Sequence, residues 1–224
     1  ASNEYQVFPN LTYLVASNTE VKLDIYQRRN MTTPQPTVIY MHGGFWAIGS
    51  KEASLMSLFP WFEMGWNVVN VEYRLGRVSL APAAVEDCLC ALRWVAAHAK
   101  DYAIDASRLV TTGESAGGHL AAATILRMRD RYGYAGWKGA NLVYGAYDLS
   151  LTPSQRQFGD TRLVLRTIDM RQFYNAFLPL GPDRRDPDIS PLYADLKGLC
   201  PALFSVGTAD ALLDDTLFMH ARWI

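Results

Sequence analysis

The chain has 224 residues, half of them apolar and 12% aromatic, with 21 basic against 22 acidic side chains and a formal charge of −1. This length can bury a sizeable core without a disulfide or metal staple, and a single α/β domain often uses as much. The charge balance gives no basic stripe and no acidic tail, which argues against nucleic acid as a partner. No apolar run approaches the roughly 18 residues that a membrane span requires.

In chain order, Glu20–Tyr26 alternates as a half-buried strand does, and Thr37–Met41 and Val68–Glu72 are short β-branched runs expected for buried parallel strands. Pro82–Lys100 predicts a long helix, with Pro at its start and Glu86 and Asp87 in its early turns. A strand over Leu109–Thr112, a helix over Ala116–Tyr132 and strands over Leu142–Gly145 and Ala202–Val206 follow. Strands alternating with long helices indicate βαβ units and an open, mostly parallel α/β sheet with helices on both faces. Residues 151–190, rich in Pro and Arg, break this rhythm and read as an inserted subdomain or lid. Arg127–Arg131 and Arg184–Arg185 mix with Asp and read as solvated faces.

Three cysteines make an odd count, and Cys88 and Cys90 stand two apart on a predicted helix, where they point to different sides. They read as reduced, and on that ground alone a cytoplasmic location is favoured. No metal ligand set is visible. The chain begins Ala1-Ser2-Asn3 and stops at Arg222-Trp223-Ile224, inside what reads as an amphipathic helix without a stop signal. The expectation is a fragment or a processed chain.

Chemistry concentrates in three places. Gly113-Glu114-Ser115-Ala116-Gly117-Gly118 lies between a predicted strand and a predicted helix, the context of a Gly-x-Ser-x-Gly elbow. So tight a turn demands small flanking residues and holds the serine Oγ exposed at the head of a helix, making Ser115 the candidate nucleophile. His42-Gly43-Gly44-Phe45-Trp46 follows the strand Thr37–Met41. Glycines there let N–H groups converge on a developing oxyanion, and Gly43, Gly44, Phe45 and Ala116 are the candidate donors. His42 reads as a brace for the loop rather than a base. Asp210 follows the strand Ala202–Val206 at the carboxyl end, where open α/β sheets place their sites. Asp148 is the rival acid, and Asp214 and Asp215 read as capping and first-turn acids of the next helix.

These motifs, with Pro82-Ala-Ala-Val-Glu-Asp and Asp186-Pro-Asp-Ile-Ser-Pro, resemble the α/β-hydrolase fold and, within it, the hormone-sensitive-lipase-like carboxylesterases. The resemblance covers about residue 20 to the end. It implies a serine carboxylic-ester hydrolase for small or short-acyl esters, with Ser115 as nucleophile, Asp210 orienting a histidine, and a lid built from residues 1–19 and 151–190. Trp46, Phe45 and the aromatic residues of 158–177 are candidates for the substrate pocket. No cofactor is implied. The expected partner is a small-molecule ester, and a homo-oligomer is compatible with the sequence.

The chain departs from that pattern in three places. Phe45 stands where the family usually has a third glycine, a form also seen in arylformamidases, which makes an amide or formamide hydrolase the close alternative. Gly76-Arg-Val-Ser-Leu replaces the usual Ala-Pro-Glu after Tyr73-Arg74-Leu75. Finally, the family's histidine lies a helix and a strand beyond the acid, whereas only fourteen residues follow Asp210. Of His42, His98, His119 and His220, none reads as the base. The expectation is therefore a C-terminal strand and helix missing from this chain, with near-inactivity of the 224 residues alone. A non-catalytic hydrolase-fold binding protein, as in the plant gibberellin receptors that resemble this family, is the alternative of another class.

Overall fold

A computed structural model describes residues 4–76, 80–160, 165–178, 181 and 183–224. Seven strands form one sheet in the order β1-β2-β4-β3-β5-β6-β7. They span Tyr5–Ala16 (β1), Thr19–Arg28 (β2), Gln35–Met41 (β3), Asn67–Val71 (β4), Ile104–Glu114 (β5), Gly139–Val143 (β6) and Ala202–Ser205 (β7). From β4 to β7 every pairing is parallel, while β1–β2 and β2–β4 are antiparallel.

The central strands β3 and β4 bury residues on both faces, as continuous β-branched runs require. Helices α2 (Ala83–Ala97) and α3 (Ala116–Tyr132) cover one face over the main core. On the other, Val38, Tyr40 and Val68 pack under Leu58 and the short helix α1 (Phe59–Glu63). Helices α4 (Pro153–Gln157) and α5 (Thr167–Phe177) lie within the 151–190 insertion, and α6 (Leu213–Trp223) follows β7.

Several local expectations change. Residues 5–16, expected in a lid, form the edge strand β1, paired to β2 along its length. Pro9 and a left-handed Asn10 lie at a register shift there, and a second shift follows Thr12, devices that suit an edge. Strand β6 begins three residues earlier than its apolar run suggests. Asp87, expected in the early turns of the helix, is fully buried there, and the Arg74 guanidinium pairs with it at 2.7 Å. Arg127 is likewise buried, bridging Glu86 of α2 at 2.6 Å and Asp188 of the insertion at 3.2 Å. The departing loop after Leu75 falls largely on residues 77–79, outside the described residues, as do parts of both expected lid segments (1–3, 161–164, 179, 180 and 182). All three cysteines are free, and no helix among the described residues is long and apolar enough to cross a membrane.

Candidate active site

Four parallel strands deliver their following loops to one end of the sheet. Met41 leads into the glycine loop, Glu114 into Ser115, Val143 into Tyr144, and Ser205 into the turn that carries Asp210.

Ser115 sits between β5 and α3 with φ 56° and ψ −119°, a conformation that costs a non-glycine residue of order 1–3 kcal/mol. Its N–H is tied to the Val143 carbonyl at 3.0 Å. The turn closes because residue 117 has no side chain: a Cβ there would lie 2.0 Å from the Met41 carbonyl oxygen. The elbow is thereby pressed against the end of β3. Gly44 serves the facing loop in the same way, with φ +112° and no room for a Cβ, which would meet the Ile48 carbonyl oxygen at 2.0 Å.

A cavity of about 440 Å³ opens over this elbow, lined by Ser115 and Asp210 with the apolar walls Phe45, Phe158, Leu165 and Leu212. The sequence-predicted nucleophile and acid therefore share one cavity. Asp210 accepts the Leu212 N–H on Oδ1 at 2.9 Å, which fixes the carboxylate in its turn. Asp148 instead accepts the backbone N–H and hydroxyl of Ser150 on Oδ1 and the Tyr193 hydroxyl on Oδ2, facing a separate groove. Its geometry is that of a buried turn anchor.

Asp215 differs from its reading as a first-turn acid. It is fully buried, and its oxygens accept from the backbone of Tyr147 and Asp148 and from the side chains of Thr152 and Gln155. Burial pushes its carboxyl up to about 7, against those donors, which favour the anion. It ties α6, close behind the Asp210 turn, to the root of the insertion.

The four candidate oxyanion donors divide. Gly43 donates its N–H to Glu114 Oε1 at 3.0 Å, so that donor is already engaged. Tyr40 donates its hydroxyl to the same carboxylate, which thus bridges β3, the glycine loop and the elbow. Gly44 and Phe45 make no backbone N–H bond to another described residue. Ala116 opens α3, where the first N–H groups of a helix lack internal partners. The role of Glu114 was missed; its only signal was an acid in the variable position before the serine. Tyr144, which also lines the cavity, was missed as well, although its place directly after β6 pointed to it.

Trp46 is almost entirely buried and does not face the large cavity. Its indole N–H donates to His119 Nδ1 at 3.1 Å, and its ring stacks on Phe177, although one edge borders a small hollow beside Ser115. It braces the loop, whereas Phe45 fronts the cavity. Of the aromatic residues of the insertion, Phe158 lines the cavity, while Tyr174 and Phe177 are core.

His42 braces the loop as expected, and the other three histidines lie away from the Ser115 hydroxyl. His42 is buried, donates from Nδ1 to the Gly43 carbonyl, and stacks on Tyr73. The Trp46 donor assigns the His119 proton to Nε2, which donates to the Ile189 carbonyl at 2.8 Å. His98 bonds to the Trp94 carbonyl, and exposed His220 packs edge-on against Phe204. Among the described residues no side chain is hydrogen-bonded to the Ser115 hydroxyl.

The comparisons bear on the family and the fold. A family model described as the alpha/beta hydrolase fold matches residues 38–224. The chain belongs to the alpha/beta-hydrolase family. The solved structure of a hyperthermophilic esterase from the archaeon Pyrobaculum calidifontis superimposes with a TM-score of 0.87 at 32% identity, covering 97% of this chain and 72% of that one. A thermostable carboxylesterase cloned from a metagenomic library gives 0.88 at 30% identity, over 98% and 74%. The acetyl esterase of Salmonella paratyphi A is 29% identical over 192 residues, 84% of this chain and 59% of that relative. The chain thus spans under two thirds of the length of the curated relatives it matches.

Proposed function

We propose that this hydrolase cleaves carboxylic esters with small or short acyl groups, using Ser115 as nucleophile. The observation that carries the reading is the strained Ser115 and the anchored Asp210 on the wall of one apolar cavity. Ser115 Oγ attacks the ester carbonyl while a histidine takes its proton, and Asp210 holds that imidazole's tautomer and stabilises its charge. Each of the four histidines of this chain is engaged or placed elsewhere. Free N–H groups of Gly44, Phe45 and Ala116 support the tetrahedral oxyanion, each such donor being worth ~3 kcal/mol in the transition state. Collapse expels the alcohol, which takes the proton back from the imidazolium. Water then attacks the acyl-enzyme by the same route and releases the acid.

The phenyl and leucyl walls suit a short alkyl or aryl group, and the esterase names of the relatives support the ester class. The full-length protein is expected to hydrolyse p-nitrophenyl butyrate at least about 100-fold faster, in kcat/KM, than an N-formyl arylamine, a gap of ~3 kcal/mol in transition-state binding. A preference for the formamide would replace this reading with an amide hydrolase. Ligand binding without turnover of either would replace it with a binding protein.

A further inference from the structure

We propose that helix α5 clamps the oxyanion loop, with Phe173 as a positioning residue that acts through Phe45. The proposal rests on the ester-hydrolase reading above. Phe45 and Trp46 are consecutive non-glycine residues in the left-handed region, with φ 57° and 56°. Side chains disfavour that conformation, so something outside the loop must hold it. Each ring lies flat on a ring of α5: Phe45 on Phe173 with centroids 4.0 Å apart and planes 11° apart, Trp46 on Phe177 at 4.4 Å and 14°. Phe173 and Phe177 are one helical turn apart and so present one face of α5.

The two stacks differ in what else secures the residue. Trp46 is also held by His119 at its indole N–H and by the Gly76 N–H at its carbonyl. Phe45 forms no hydrogen bond to another described residue, so the stack on Phe173 is its restraint. Its N–H is a candidate oxyanion donor, and ring and N–H turn together about one backbone. Phe173 is only half-buried, so its removal opens the clamp without emptying the core.

The test is a double-mutant cycle in the full-length protein, with kcat and KM measured on p-nitrophenyl acetate and melting temperature followed in parallel. Phe173→Ala is expected to lower kcat about 10- to 100-fold, as a misplacement of about 1 Å does, with KM within about threefold. Phe173→Tyr, which keeps the stacking plane, restores the rate. In a Phe45→Gly background, where the turn carries no strain and no ring, Phe173→Ala should change kcat by less than about twofold. Should the alanine variant unfold, Phe173→Leu keeps the apolar bulk without the plane and is read in the same cycle. An unchanged kcat in the single variant, or the same loss in both backgrounds, overturns the clamp. No ester turnover by the unsubstituted protein overturns the ester-hydrolase reading instead, and this role with it.

Discussion

Asp210→Asn in the full-length protein is expected to lower kcat about 10⁴-fold while leaving the urea unfolding midpoint nearly unchanged. The two halves of that result have separate physical sources. An asparagine can accept the Leu212 N–H as Asp210 does, so the turn after β7 keeps its shape. It carries no charge to stabilise an imidazolium, and its amide N–H favours the wrong histidine tautomer. Asp148→Asn supplies the contrast. That carboxylate accepts three donors inside a buried turn, so its loss should lower the midpoint and leave kcat per folded molecule within about threefold. A loss below tenfold at Asp210, or an equal loss at Asp148, would show that the acid has been misassigned.

His119 sets the second large effect, on stability. Burial holds its imidazole neutral and lowers its pKa to about 4, assisted by the charge of Arg127. In the unfolded chain a histidine titrates near 6.5. Its contribution is therefore complete above about pH 6.5 and is lost as pH falls toward 4, because the unfolded state binds the proton that the folded state refuses. The full drop is about 3 kcal/mol. Asp215, raised to about 7, works in the opposite direction across the same range, so the comparison must be differential. His119→Gln can accept from Trp46 and donate to the Ile189 carbonyl without titrating. Urea unfolding at pH 7 and pH 4 should show the unsubstituted protein losing about 3 kcal/mol more than this variant. Parallel losses would mean that His119 is not held neutral.

The site was legible in the sequence where chemistry and backbone constrain residue type together. The elbow requires small residues around Ser115, and the contact of Gly117 with Met41 shows why no side chain fits there. The glycine loop was equally clear, yet its donors were over-counted. Nothing local indicates that Glu114, 71 residues along the chain, takes the N–H of Gly43. Trp46 was misread for a related reason. An aromatic residue beside the glycines suggests a pocket wall, but its partners His119 and Phe177 are supplied by α3 and the insertion.

The buried charges failed in the same way. Asp87, Arg127 and Asp215 sit on helices in patterns that suit a solvated face or a first turn, and their burial is decided by partners in distant segments. Strand β1 escaped because Pro9 and its register shifts interrupt the alternation that marks a strand. The parallel strands were visible because burial on both faces demands the β-branched runs that the chain displays.

The central claim is that Ser115 is the nucleophile of an ester-cleaving site. Incubating the full-length protein with a fluorophosphonate and measuring its intact mass tests this most directly. One adduct per chain on the peptide containing Ser115, loss of ester hydrolysis in step with labelling, and no adduct in Ser115→Ala are expected. Stoichiometric labelling of the alanine variant, or a fully labelled protein that still turns over ester, would contradict the assignment.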